Sequence, residues 1–370
     1  MIHSPKILLV QLYSNGDCLF ATVVARQIKQ DYPTCHLTWA IASSNSSIID
    51  NNPYVDDLLL VDSVIKNDIR SFKKFKQQVL DKQKQGIYDE IFIVQNFDTN
   101  NVYFTGSIRG SILDAYPNPI TVPIQPILRN TLAEKNNISQ FVVKYDLANY
   151  KQIILFEFSP QSGQIKISKE FALFIAEELV KDANVAVILS SANKIIHDNP
   201  AIIDGSSLSL RETAALSHYC TFLLGCSSGI TWSTTSDSGK LLPMVQLLNP
   251  SVRWFNPISL DFKRFGIDFD KVIELVDYDE FKIVDCVKSA LSDFDLAKAR
   301  YNQKINLSFR TSRTIVYNFL LDFDLLSVVK HINLNFKYHG FKISFFKEIL
   351  FAFIFFPFYF LKTHFINRNN

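Results

Sequence analysis

The residues whose types and spacing suit chemistry sit in two short runs far apart in the chain. The first, Lys6-Ile-Leu-Leu-Val-Gln-Leu-Tyr-Ser-Asn-Gly-Asp17, reads as a buried strand and a small-residue turn (Ser14, Asn15, Gly16). A carboxylate then heads a helical run ending at Tyr32-Pro33. The second, Leu224-Gly-Cys-Ser-Ser-Gly-Ile-Thr-Trp232, follows a helix-forming stretch over 207–216 and repeats the pattern. Such turns present free backbone N–H groups, and the helix dipole adds partial positive charge, so both are candidate anion sites. Ser227, Ser228, Gly229 and Ile230 fit a main-chain phosphate cradle, against the alternative of a tight turn with no ligand. Asp17 suits a general base that takes the proton of an attacking hydroxyl, typically worth about 10²–10⁴ in rate. Its alternative is an ordinary first-turn acid favoured by the dipole. Gly16 fits a turn requirement on either reading.

The elements that must position these runs alternate apolar strands with amphipathic helices, the pattern of α/β layers. Strands are predicted over 7–12, 37–42, 58–61 and 90–95, with helices over 17–30 and 67–85. Ile69, Phe72, Val79 and Leu80 mark the inner face of the second helix. Four prolines within 117–126 predict an extended loop. A second unit follows, with strands over 152–156, 185–189, 222–224, 244–248 and 272–276, and helices between and after them. The division expected is an α/β domain over 1–148, a second over 149–295, a helical segment over 296–335 and a basic, aromatic tail over 336–370.

In residues, order and spacing these runs resemble the family-9 glycosyltransferases, the ADP-heptose:lipopolysaccharide heptosyltransferase family. Ser14, Gly16, Asp17, Tyr32 and Pro33 match that family's strand, Ser-x-Gly-Asp, helix and Tyr-Pro. Asn52-Pro53-Tyr-Val55-Asp56 resembles the Asn-Pro-x-Val-Asp that follows it. Ser209, Leu210, Glu212, Ala214, Ala215, Leu216, Gly225, Ser228 and Gly229 match its donor-side motif, Ser-Leu-x-Glu-x-Ala-Ala-Leu and then Gly-x-Asp-Ser-Gly-x-x-His. The resemblance covers residues 6–292. It implies an α/β protein of GT-B type, with two Rossmann-like α/β/α domains facing a central cleft and a helical Phe-rich C-terminal extension. The N-terminal domain would take the acceptor and the C-terminal domain the nucleotide-sugar donor. It also implies inverting, metal-independent transfer to a lipopolysaccharide or other surface-glycan acceptor, with Asp17 as the base and no cofactor.

The same resemblance sets Lys166 near the family's lysine beside the donor phosphate, where a cation would neutralise the leaving nucleoside diphosphate; a solvated lysine before a helix is the alternative. Ser159 and Ser162 would add hydroxyl donors to the same phosphates. Glu212, one turn into a helix, is either a structural acid or a ribose or base contact. Two positions depart from the family: Ser227 stands for its aspartate and Trp232 for its histidine. These departures open a competing class, a non-catalytic nucleotide-sugar or glycan-binding relative. Intact Asp17 argues for the enzyme.

Other chemistries are poorly supported. Three Asp-Phe-Asp triplets, starting at Asp268, Asp293 and Asp322, invite metal ligation, yet none follows an early nucleotide-binding unit, and the seven histidines are scattered. Gly-x-Gly-x-x-Gly is absent, which argues against a dinucleotide oxidoreductase. A net charge of +2 gives no footprint for nucleic acid. Five cysteines without a CxxC pair fit a reducing cytoplasm, and a strand at the very N-terminus predicts no secretory signal.

Phenylalanine is the compositional outlier, with 32 residues crowded toward the C-terminus. The apolar run 349–361 would make a helix of about 20 Å, short of a roughly 30 Å bilayer core. Pro357 is expected to break it. Lys337, Lys342, Lys347, Lys362 and Arg368 flank the run. Basic residues beside an aromatic, apolar face predict a tail lying on the cytoplasmic face of a membrane. The alternatives are a helix packed into the inter-lobe core and a spanning helix.

Overall fold

A computed structural model describes residues 4–159, 165, 167–252 and 256–361. The expected α/β alternation resolves into two wholly parallel sheets. In the first lobe β1 (Lys6–Val10), β2 (His36–Ile41), β3 (Asp57–Leu60) and β4 (Glu90–Ile93) pair in the order β3-β2-β1-β4. β1 is central, with Ile7 opposite Leu37 on one side and Glu90 on the other. α1 (Asn15–Asp31) leaves its C-terminal end, and α2 (Ile69–Lys84) covers the sheet with Phe72, Phe75 and Val79. That inner stripe takes Phe75 where the sequence pattern offered Ile69 and Leu80; Ile69, at the helix start, stays 39% exposed. The Asn52–Asp56 motif is a brace: the Leu37 N–H and the Lys29 ammonium both donate to Asp56.

α3 (Ile108–Asp114) and α4 (Leu132–Lys144) lead to the second sheet. Its strands are β5 (Gln152–Glu157), β6 (Val185–Ser190), β7 (Ile202–Asp204), β8 (Phe222–Gly225), β9 (Met244–Leu247) and β10 (Val272–Leu275), ordered β10-β9-β8-β5-β6-β7. Between them run α5 (Lys169–Leu179), α6 (Leu210–Leu216), α7 (Gly229–Ser233) and α8 (Ile258–Phe265), and α9 (Glu280–Ser292) and α10 (Phe294–Tyr301) follow. α4, on the first-lobe side of a boundary at 148, packs against α6 of the second lobe. Buried strands on both faces give the near-continuous apolar runs seen in the sequence.

The chain then returns to the first lobe. α11 (Arg310–Leu321), α12 (Leu325–His339) and α13 (Ile343–Leu361) form a helical cap whose core takes in Val102 and Phe104. His331 Nδ1 hydrogen-bonds the Val102 carbonyl, and the Tyr338 hydroxyl donates to Asp114 at 2.5 Å. α13 runs through Pro357 without a break and has 19 residues. That corrects the expected interruption: in the last turns of an exposed helix, loss of one N–H donor is tolerated where solvent reaches the freed carbonyl. At about 28 Å, α13 is long and apolar enough to cross a bilayer by length and composition.

Candidate active site

The two turns singled out in the sequence meet at the junction of the lobes. A Cβ added to Gly16 would lie 3.4 Å from the Gly229 Cα and 3.5 Å from Arg109 Nη2. The two turns are thus in contact, but at these ordinary van der Waals distances an added Cβ would fit, and close approach does not by itself demand glycine at 16. The turn explanation is corrected, because the left-handed residues are Ser14 (φ 71°) and Ser227 (φ 52°), one in each turn. Non-glycine residues pay about 1–3 kcal/mol for such backbones, and they cluster where geometry is over-determined for function. Ser14 makes no side-chain cap to α1. The Asn15 side-chain oxygen Oδ1 accepts from Asn45 Nδ2 at 2.6 Å.

Asp17 is the third residue of α1 and half-buried. Burial pushes its carboxyl up from the ordinary aspartate range, against the opposing pull of Arg109 and Lys66. A raised carboxylate pKa strengthens a base that works near neutrality.

Ser227, Ser228, Gly229 and Ile230 form the turn from β8 into α7, and β5 and β9 fill it from beneath. Glu157, the last residue of β5, is 2% exposed and receives the Cys226 N–H (3.4 Å), the Ile230 N–H (3.4 Å), the Thr231 hydroxyl (3.2 Å) and the Ser228 hydroxyl. Gln246 Oε1 on β9 takes the Ser227 N–H at 2.6 Å. Several donors of the expected cradle thus serve side chains of the fold. Burial raises the Glu157 carboxyl to about 7, with its hydrogen bonds pulling the other way. Both residues leave a trace in the sequence: Gln246 is the one polar residue of β9, and Glu157 is a charge that follows directly on an apolar run.

Trp232, in place of the family's histidine, is fully buried. It packs edge-on against Phe20 of α1 at 5.5 Å and Phe262 of α8 at 5.5 Å, joining the lobes. Over its ring, 4.7 Å from the centroid, sits the guanidinium of Arg109 from α3. Arg109 is 7% exposed, and burial lowers its pKa against the opposing fields of Asp17, Asp261 and Glu157. No pattern in the sequence marks it. Arg109, Cys226, Ser227, Asn249, Asn256 and Asp261 line a crevice between the lobes. Asp261 is also buried and its carboxyl raised, although Ser107 and Asn256 hydrogen-bond to it.

The other sequence candidates are dispersed. Glu212 closes a capping box with Ser209, whose N–H it accepts at 2.8 Å, and takes the Asn137 amide at 3.0 Å. Both of its oxygens therefore serve the fold. Ser159 lies just beyond β5, half-buried, whereas Ser162 and Lys166 fall outside the described residues. Of the Asp-Phe-Asp triplets, Asp293 and Asp324 cap helices and Asp295 pairs with Lys271 at 2.6 Å. Among the described residues no group of three or more His, Cys, Asp or Glu is placed to hold a metal ion.

No protein-family profile matches the sequence, and no curated protein sequence matches it. Solved structures do. A family-9 glycosyltransferase from Veillonella parvula DSM 2008 superposes with a TM-score of 0.52 at 14% identity, covering 77% of this chain and 89% of its own. The ADP-heptose lipopolysaccharide heptosyltransferase II of E. coli superposes with a TM-score of 0.53 at 13% identity, covering 78% and 99%. The chain has the two-lobed GT-B architecture of these proteins.

Proposed function

We propose that this protein is a glycosyltransferase that moves a sugar from a nucleotide-sugar donor to a lipopolysaccharide or other surface-glycan acceptor, with inversion and without a metal ion. One observation carries the reading: Asp17, its carboxyl raised by burial, stands at the contact between the two strand–turn–helix units. In the reaction the acceptor hydroxyl oxygen attacks the anomeric carbon, and its proton passes to an Asp17 carboxylate oxygen. The bond from the anomeric carbon to the phosphate oxygen breaks, and its electron pair leaves with the nucleoside diphosphate. A single base on one side of the sugar suits a single in-line displacement.

A non-catalytic nucleotide-sugar or glycan-binding relative is the competing reading, and it rests on Ser227 and Trp232. Trp232 packs as a core residue between two phenylalanines, so the missing imidazole reflects a rebuilt junction. A thermal-shift panel of nucleotide sugars identifies the donor, because a ligand bound only by the folded state raises apparent stability. Turnover of that donor by wild type and Asp17→Asn then separates enzyme from binder. The variant is expected to keep donor affinity and lose at least about 100-fold in turnover. Equal turnover removes Asp17 from the chemistry.

A glycolipid acceptor calls for a surface able to meet a membrane, and the exposed apolar side of the helical cap supports that reading. Phe345, Ile349 and Ala352 of α13 are buried in the cap core, whereas Leu350, Phe353, Ile354, Phe355 and Phe358 are exposed. Phe323, Leu326 and Phe336 extend the apolar surface. A spanning α13 would strip its buried residues from α11, so the helix suits a position on the cytoplasmic membrane surface.

A further inference from the structure

Arg109 carries a buried guanidinium that makes no hydrogen bond among the described residues. Among the described residues nothing accepts from it: its Nε is buried without a partner, and its guanidinium lies over the Trp232 ring. Asp17, Asp261 and Glu157 act on it through their fields alone. A cation removed from water and left unbonded costs several kcal/mol, so such a group persists where a ligand repays it. The N-terminus of the 17-residue α1 opens beside it, uncapped by Ser14, with Gly16 next to Arg109 Nη2. The same guanidinium lines the crevice with Cys226, Ser227 and Asn256.

We propose that Arg109 is the cation that binds the donor's diphosphate, reaching it from the first lobe and through the space beside the Trp232 ring. The inference rests on the glycosyltransferase reading and deepens it. The charge that disperses the leaving diphosphate then comes from the acceptor lobe, so the two lobes must be together for transfer. Guanidinium-to-phosphate hydrogen bonds are charge-assisted and bidentate, and the planar group stays stacked on an aromatic face while donating from its edge. A diphosphate fits better than an anionic group of the acceptor, because Arg109 shares its crevice with the donor-side turn.

Calorimetric titration of wild type, Arg109→Met and Arg109→Lys with ADP, GDP, UDP and inorganic pyrophosphate tests this, alongside melting of the ligand-free proteins. Wild type is expected to bind pyrophosphate and at least one nucleoside diphosphate. Arg109→Met should weaken both at least about 30-fold, and Arg109→Lys should retain part of the affinity. Ligand-free Arg109→Met should melt no lower than wild type, since it loses an unbonded buried charge. A lower melting temperature in both variants, with binding lost in parallel, makes Arg109 structural and overturns the proposal. So does undiminished binding by Arg109→Met, which leaves the glycosyltransferase reading standing. Undiminished nucleotide binding with a raised acceptor KM overturns it in favour of an acceptor anion. A wild type that binds none of the four probes overturns both the proposal and the donor reading.

Discussion

Replacing Glu157 by glutamine isolates the energetic cost of the carboxylate beneath the donor-side turn. The Cys226 N–H bonds Oε2 and the Ile230 N–H bonds Oε1, so the amide oxygen can keep one of them while the amide nitrogen donates to the hydroxyl on the other side. The variant therefore changes charge with little change in shape. Burial holds the native carboxyl near 7, against an ordinary 4.5 in the unfolded chain. At roughly 1.4 kcal/mol per pH unit, that difference is about 3 kcal/mol. The sign follows from proton counting. Between about 4.5 and 7 the folded protein holds a proton that the unfolded chain has released, so stability falls as pH rises through this window and is flat above it. Below 4.5 both states are protonated, and the carboxyl costs nothing. Relative to wild type, Glu157→Gln should therefore gain about 3 kcal/mol between pH 4.5 and pH 8.5, offset at both by about 1 kcal/mol for the N–H that loses its acceptor. If the C-terminal lobe melts as one unit, this corresponds to about 6–12 °C. Differential scanning calorimetry of both proteins at the two pH values measures the effect. Equal destabilisation at both would refute the reasoning, because it would make the carboxylate's hydrogen bonds worth more than its desolvation.

The remaining predictions concern the cap and the ion requirement. His331, buried on α12 with its pKa lowered to about 4, is neutral in the fold, so its contribution is present above the ordinary 6.5 and is lost as pH falls from 6.5 toward 4. Protection factors for the amides over 325–339, which correct for the pH dependence of intrinsic exchange, should fall between pH 7 and pH 5 in wild type, and less in His331→Gln. Changing exposed Phe353, Ile354 and Phe358 together to serine should abolish sedimentation with vesicles rich in anionic lipid and leave the melting temperature within about 2 °C; retained sedimentation places the contact elsewhere. This is a cleaner test than truncation after Asn335, which would also remove the Tyr338–Asp114 and His339–Thr105 hydrogen bonds of the cap. Donor turnover should survive EDTA, and an absolute need for added magnesium or manganese would show the metal-free mechanism to be wrong.

The sequence by itself determined what depends on near neighbours. Apolar runs bounded by small residues specified both parallel sheets, because a strand buried on both faces needs side chains of one kind throughout. The same local rule put Asp17 at the head of α1, since the strand, turn and helix around it are contiguous. The tertiary structure decided what depends on residues brought together from distant positions. Ser207–Leu216 spacing left Glu212 open between a ligand contact and a structural acid; the approach of α4 places Asn137 against it and completes its bonding inside the fold. Gly16 meets the backbone of Gly229, a neighbour only across the lobe junction. Pro357 reads locally as a helix breaker, but α13 packs on α11 along its buried side and continues past it. Arg109, an ordinary residue in its own helix, acquires significance from Trp232 and Asp17, which the fold alone sets around it. Its charge is buried by contacts between the lobes, and no local periodicity encodes them.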